Sequence, residues 1–135
     1  MDKYLLDTTV LIDHLRGNNL VTEVLTSENI TISYVSVAEL IQGVRNKAEL
    51  KMIRGLLSEL ETDWGMEEVA HKAIEILSAF HLKNGLGFID SLLAATALNN
   101  NLVLVTDNLK HFHFIPKLKV LTLRQCAEEI RNNHN

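Results

Sequence analysis

The stretch Tyr4-Leu5-Leu6-Asp7-Thr8-Thr9-Val10-Leu11-Ile12 decides the fold, because an apolar run ends in a carboxylate and continues into an amphipathic segment. The run predicts a buried strand, and either Thr8 or Thr9 is expected to cap a following helix over about 9–16. In open α/β sheets, ligands bind at the carboxyl ends of the strands. The sequence therefore puts Asp7 at a candidate binding edge.

The remainder of the chain alternates between strand and helix patterns, which predicts a mainly parallel sheet covered on both faces. A length of 135 residues is typical of a single domain. The polar residues 132–135 are expected to form a frayed tail. Further strands are predicted at 30–34, 60–64, 102–105 and 119–121, and further helices at about 20–27, from Ser36, and at 47–60, 66–84, 88–100 and 123–132.

Composition restricts the compartment and the redox chemistry. The hydrophobic content is 47%, yet no run approaches the roughly twenty apolar residues that span a bilayer. The amino terminus carries no secretory signal pattern, so we expect a cytoplasmic protein without membrane association. Cys126 is the sole cysteine, which excludes an internal disulfide, and its helix-like surroundings predict a packing role rather than a nucleophile.

The net charge is only a weak guide to whether the protein binds nucleic acid. A formal charge of −4 argues against general attraction to nucleic acid. It does not exclude a nuclease, because an acidic cluster that holds Mg²⁺ makes the metal-free chain more acidic than the working protein. The histidines, including the close pair His111 and His113, show no zinc-ligand spacing.

Acidic or amide side chains stand at four similar places in the sequence, either directly after a predicted strand or near the start of a predicted helix. They are Asp7, Glu39, Asp90 and the pair Asp107-Asn108. Each has a structural explanation, because helix dipoles favour acids in the first turn and Ser36 with Glu39 forms a capping-box pattern. Together, however, carboxylates at one edge of a sheet repel each other unless a cation neutralises them. Mg²⁺ and Mn²⁺ prefer such oxygen ligands and can assist phosphodiester hydrolysis.

Four stretches, in order along almost the whole chain, make the sequence resemble the PIN-domain nucleases, especially the VapC-type ribonuclease toxins of toxin–antitoxin pairs. Each stretch alone is a weak signal, whereas four in order at ordinary spacing are a strong one. They are Leu5-Leu6-Asp7-Thr8-Thr9-Val10-Leu11-Ile12, Ser36-Val37-Ala38-Glu39-Leu40-Ile41-Gln42-Gly43, Asp90-Ser91-Leu92-Leu93-Ala94-Ala95-Thr96-Ala97 and Leu104-Val105-Thr106-Asp107-Asn108-Leu109-Lys110-His111-Phe112.

The resemblance implies a PIN-like three-layer α/β/α sandwich over residues 1–131, with a central parallel sheet of about five strands. It also implies an endoribonuclease that needs Mg²⁺ or Mn²⁺ to hydrolyse RNA, forms a homodimer and is restrained by a small VapB-like antitoxin. The family's catalytic carboxylates map onto Asp7, Glu39 and Asp90. Its fourth acidic position falls on Asn108, beside the acidic Asp107.

The resemblance further implies a division of roles. Asp7 and Asp90 would hold the principal metal, with Glu39 as a further ligand directly or through water. Asp107 or Asn108 would orient the attacking water or support a second ion, and the expected supporting hydroxyls are those of Thr9, where the family often has Asn, and Thr106.

Two alternatives stay open on the sequence. A catalytically silent PIN-fold module that binds RNA or protein would share the fold without the chemistry. A phosphatase with an aspartyl-phosphate nucleophile is disfavoured, because that chemistry normally places a second Asp where Thr9 stands.

Overall fold

A computed structural model describes residues 2–133, which contain five parallel strands and seven α-helices. The strand order is β3-β2-β1-β4-β5, so the first strand lies at the centre of the sheet. The predicted three-layer α/β/α architecture with a five-stranded parallel sheet is confirmed. The strands are β1 (Tyr4–Leu6), β2 (Ile30–Ser33), β3 (Glu61–Asp63), β4 (Val103–Val105) and β5 (Val120–Leu121).

Helices cover both faces of this sheet, and a single 3₁₀ turn, Leu109–His111, follows β4. No helix in the described part of the chain is both long enough and apolar enough to cross a membrane. The helices are α1 (Thr8–Leu15), α2 (Asn19–Leu25), α3 (Tyr34–Gln42), α4 (Lys47–Leu57), α5 (Glu67–Asn84), α6 (Phe88–Asn99) and α7 (Leu123–Asn133).

Alternation along the central strands separates two hydrophobic cores. Leu6 faces the layer that contains α1, α2, α4 and α7, whereas Leu5 faces α5 and α6. Ala94 and Ala95 are fully buried in the second layer, which lets α6 lie close to the sheet. Cys126 is buried in the first core, and burial raises the pKa of its thiol to about 12. A packing role for Cys126 follows, because thiolate is the reactive form.

The strand order creates a topological switch point between β1 and β4. The chain moves from β1 to β2 and β3 on one side, and then returns to place β4 on the other side of β1. Leu6 pairs with Val105 across this boundary, so the residues that follow both strands emerge side by side. Crevices at such points are the usual ligand sites of open α/β sheets.

The predicted caps of two helices are wrong. Helix α3 begins at Tyr34 and its N-cap is Ser33, whose side chain accepts from the Val35 amide, so Ser36 and Glu39 form no capping box. Neither Thr8 nor Thr9 caps α1, because Asp7 occupies the N-cap position and makes no side-chain cap bond.

The prediction of a frayed tail over 132–135 is wrong for its first two residues. Helix α7 continues through Asn133, so the first two residues of that segment are helical. The remaining two, 134 and 135, lie outside the described residues.

Candidate active site

Asp7 is the most constrained carboxylate at the switch point. Only 6% of this residue is exposed, and its backbone amide donates to the Val105 carbonyl at 2.9 Å. Its Oδ2 atom accepts hydrogen bonds from Thr106 Oγ1 at 2.8 Å and Thr9 Oγ1 at 3.3 Å. Both hydroxyl residues that were expected to support the site therefore contact Asp7.

Thr106 also fixes the loop that follows it. Its side chain is fully buried, and Oγ1 accepts from the Asn108 backbone amide at 3.0 Å while it donates to Asp7. A hydroxyl has one proton and two lone pairs, so both interactions can form at once. The loop after β4 and the tip of β1 are consequently held in one fixed relation.

Glu39 reaches the same edge from α3. Its Oε1 atom accepts from Thr8 Oγ1 at 2.7 Å, and Thr8 Oγ1 lies 2.8 Å from the buried Ser36 Oγ. Because Thr8 gives its single proton to Glu39, the Ser36 hydroxyl must donate to Thr8. These two consecutive hydrogen bonds fix the Glu39 carboxylate although Glu39 itself is exposed.

Asp90 lies in the first turn of α6 with 29% of its side chain exposed, and its Oδ2 atom is 3.3 Å from His111 Nδ1. Burial is the largest cause of a raised pKa for this carboxyl group, and the charge of Asp7 raises it further. His111 opposes the shift, and Glu39 adds a smaller increase. Asp90 is therefore close enough to both other carboxylates for their charges to repel it.

One oxygen of each carboxylate has no hydrogen bond to another described residue: Asp7 Oδ1, Glu39 Oε2 and Asp90 Oδ1. No buried side-chain oxygen in the described chain lacks a partner, so Asp7 Oδ1 must reach the surface. Within residues 2–133, no three His, Cys, Asp or Glu side chains are arranged so that they could hold a metal ion as they stand. The donor chemistry and the mutual repulsion nevertheless suit a hard divalent cation.

Asp107 and Asn108 face different partners. The exposed Asp107 accepts at Oδ1 from the Leu123 amide at 3.2 Å, which ties it to the start of α7. The half-buried Asn108 is bonded through its backbone to Thr106, and its side-chain amide makes no hydrogen bond within the described residues.

Sequence reasoning missed three contributors to this edge. The sequence predicts Thr8 only as a cap candidate and Ser36 only as part of a capping box, and for His111 it indicates only the absence of zinc-ligand spacing. Two signals were available: Thr8 directly follows Asp7, and Ser36 precedes Glu39 by one helical turn. Nothing local could have indicated His111, because its contact with Asp90 depends on the packing of α6 beside the loop after β4.

The fold and the acidic edge together define an α/β/α protein with carboxylates gathered at the switch point of a parallel sheet. The model of the PIN domain family matches residues 4–116, and the chain belongs to that family. It is 37% identical over 120 residues to ribonuclease VapC10 of Mycobacterium tuberculosis, across 85% of this chain and 90% of the relative.

Solved structures agree with this assignment. A DNA-bound VapBC from Salmonella typhimurium superposes with a TM-score of 0.79 at 27% identity, covering 91% of this chain and 99% of that one. A toxin–antitoxin complex from Klebsiella pneumoniae gives a TM-score of 0.74 at 26% identity, with 90% and 98% covered. The resemblance to VapC-type PIN domains seen in the sequence is thereby confirmed.

Proposed function

We propose that this chain is a metal-dependent endoribonuclease, the toxin of a type II toxin–antitoxin pair that acts in the cytoplasm. The observation that carries the proposal is the convergence of Asp7, Glu39 and Asp90 at the β1–β4 switch point, where the charges of the first two raise the pKa of the third. Similarity to proteins named ribonuclease VapC10 and ribonuclease VapC19 supports RNA as the substrate.

Asp7 and Asp90 would hold Mg²⁺ or Mn²⁺, with Glu39 as a further ligand directly or through water. When bound, such an ion supplies activation of water and neutralisation of charge on the phosphate. The free oxygen of each carboxylate supports this assignment, because metal coordination would not displace the hydrogen bonds to the other oxygen.

The chain's own side chains would fix the geometry. Thr106 and Thr9 hold Asp7, Thr8 holds Glu39, and His111 holds Asp90. Hydrogen bonds of this kind orient metal ligands, and their loss typically costs about 10- to 100-fold in affinity or activity.

We assign the fourth position to Asn108 rather than Asp107. The Asn108 amide group is free of hydrogen bonds to other described residues and follows the anchored Thr106, whereas Asp107 is engaged by the first amide of α7. Asn108 would orient the attacking water or support a second ion.

Cleavage of RNA by the purified protein tests the function directly. We expect Mg²⁺ or Mn²⁺ to permit internal cuts and EDTA to prevent them, and sequencing of the RNA ends would give the cleavage site. A silent PIN-fold module that binds RNA or protein remains the alternative. Intact RNA under all these conditions, with no saturable binding of Mn²⁺, would favour that alternative.

Glu39→Gln separates catalysis from folding. Gln can still accept the Thr8 hydrogen bond, so stability should change by no more than about 0.5 kcal/mol. Loss of the charge should lower RNA cleavage roughly 10- to 100-fold. Thermal melts and cleavage rates are compared with those of Glu59→Gln, an exposed position outside the site. Full activity in Glu39→Gln would remove Glu39 from the proposed ligand set.

A groove of about 360 Å³ between α1, α3 and α4 is the surface on which we place a VapB-like antitoxin. Glu39 forms part of its wall, so an occupant would also meet the acidic site. Similarity to a toxin–antitoxin complex supports a partner of this class. The apolar part of the lining suits a segment with apolar side chains and consists of Ile12, Leu15, Leu40, Val44, Met52 and Ile53.

Met52→Glu tests this placement. Met52 is 54% exposed, so the change should leave the fold intact while it puts a charge into the apolar groove. We expect binding of the proposed VapB-like antitoxin to weaken at least about tenfold, with RNA cleavage unchanged. Calorimetry with Lys51→Glu, on the same helix but outside the groove, is the matched control. Equal affinities of the two variants would contradict the placement.

We also propose a homodimer formed through the exposed apolar surface around α5. Several large apolar side chains on α5 and beside its ends are exposed, and exposed apolar surface often marks an interface. Opposite charges favour an antiparallel pairing of two copies, because the first turn of α5 carries Glu67 and Glu68 and the last turn carries Lys83. The exposed apolar residues are Trp64 (73%), Met66 (59%), Ile74 (53%), Leu82 (96%) and Phe88 (48%).

Ile74→Glu is expected to convert the dimer into a monomer with little loss of thermal stability, because Ile74 lies outside both cores. Light scattering coupled to size-exclusion chromatography measures the mass. Ala48→Glu introduces the same charge at an exposed position of α4, away from this surface, and should leave the dimer intact. A parent protein that is monomeric across the accessible concentration range would refute the dimer itself.

A further inference from the structure

A second cavity lies at the amino ends of the strands, whereas the acidic site lies at their carboxyl ends. It has a volume of about 270 Å³ and opens between α5, the end of α6 and the loop that precedes β5. Leu102, which lines it, and Thr106, which holds Asp7, are separated along the chain through β4 by about 13 Å. The two sites therefore lie at opposite ends of one strand.

Three lysines line this cavity: Lys72, Lys117 and Lys119. Asp2 is the one acidic residue among the described residues of its wall, which leaves an excess of positive charge. None of the three ammonium groups forms a hydrogen bond or an ion pair with another residue of 2–133. A concentration of unneutralised lysines is unexpected in a chain with a net charge of −4.

The backbone at this cavity is also unusual. Asn101 and Lys117 are the only non-glycine residues with positive φ in the described chain, at 52° and 67°, and both line the cavity. Asn tolerates that conformation, but for lysine it is strained. Such strain tends to be retained where it positions a functional group. Here it sets the direction in which Lys117 leaves the loop.

We propose that Lys72, Lys117 and Lys119 form a binding site for a phosphate group. Three flexible ammonium groups around a concave surface match a compact anion with several acceptor oxygens. The apolar floor formed by Ala97, Leu98 and Val103 strengthens their field, because low-dielectric walls focus it. The phosphate belongs either to the backbone of a bound RNA strand or to a free phosphate ion.

Two binding measurements test the site, both in EDTA so that no cleavage occurs. Inorganic phosphate is titrated by calorimetry, and a labelled single-stranded RNA oligonucleotide is titrated by fluorescence anisotropy at several salt concentrations. The variants are Lys72→Gln, Lys117→Gly, Lys119→Gln and their combination. Lys51→Gln removes an exposed lysine elsewhere and is the matched control.

We expect affinity to fall roughly two- to fivefold for each lysine removed, the range typical of exposed charge pairs. Lys117→Gly is the most informative single change, because glycine relieves the strained φ and should leave thermal stability equal or higher. A loss of binding in this variant thus cannot come from a damaged fold.

The two titrations identify the source of the phosphate. If RNA supplies it, the combined variant should bind RNA more weakly, and its salt dependence should lose about 2 from the slope of log affinity against log salt. If the ligand is a free phosphate ion, the variants should differ in their affinity for inorganic phosphate but not in their affinity for RNA. The proposal is overturned if the combined variant matches Lys51→Gln in both titrations. Because binding is measured without cleavage, this result is independent of whether the acidic site cuts RNA.

Discussion

Asp7→Asn should abolish metal-dependent cleavage of RNA, with a fall of at least roughly 10²- to 10³-fold. The change removes one charge from the site and substitutes an atom of equal size. Asn Oδ1 can accept the hydrogen bonds that Thr106 and Thr9 give to Asp7, so the strand tip should keep its structure. Single-turnover cleavage rates at saturating Mg²⁺ or Mn²⁺ measure the effect.

Asp13→Asn is the matched control for this experiment. Asp13 lies on α1 near Asp7 in the sequence, is half-buried and is not part of the acidic site. The Asp13→Asn variant should cut RNA at the parent rate. If Asp7→Asn retains that rate as well, the proposed nuclease mechanism is wrong whatever the binding properties of the protein.

Asp90→Asn should have two opposite effects. Cleavage should fall by a similar factor, because the second proposed metal ligand is lost. The metal-free protein should nevertheless melt at a higher temperature than the parent at neutral pH, since an amide is not repelled by Asp7 and Glu39. Active sites commonly carry this kind of instability in exchange for function.

The pH dependence follows from the raised pKa of Asp90. Between the unfolded and folded pKa values the native state binds more protons, so the contribution of this carboxyl group to stability decreases as pH rises. The advantage of Asp90→Asn should therefore be present at neutral pH and shrink on acidification through the folded pKa, where Asp90 becomes neutral.

Mn²⁺ provides the second comparison for Asp90. A ligand that binds only the native state raises its melting temperature. Mn²⁺ should thus stabilise the parent and Asp13→Asn, but have little effect on Asp90→Asn. If Asp90→Asn melts below the parent without metal and keeps the full Mn²⁺ response, Asp90 is a structural residue rather than a ligand.

The sequence was informative where hydrophobic periodicity dominates. Strand β4 and helices α5 and α6 lie within a residue or two of their predicted ends, because buried apolar runs and breaking glycines mark them clearly. The parallel sheet followed from alternation alone. Asp7 and Asp90 could be predicted together because a strand end and a first helical turn have recognisable sequence positions. Glu39 was predicted from its helix after β2, although it lies in the second turn of α3 rather than the first.

Hydrogen bonding within the site was less predictable. Ser33 and Ser36 are both suitable N-cap residues for α3, and in the structure Ser33 caps the helix whereas Ser36 hydrogen-bonds to Thr8. Asp107 and Asn108 are adjacent, and only the position of α7 decides that Asp107 is engaged by Leu123. These choices depend on contacts between segments distant in sequence, which local patterns do not contain.

The hydrogen bond from Thr106 to Asp7 joins residues 99 positions apart and has a consequence for synthesis. Asp7 leaves the ribosome early, but its anchor is made roughly 5 to 20 seconds later at ordinary elongation rates. A growing chain therefore has no complete acidic site until β4 can pair with β1. Under the proposed function, fragments that end before Thr106 should therefore not cleave RNA.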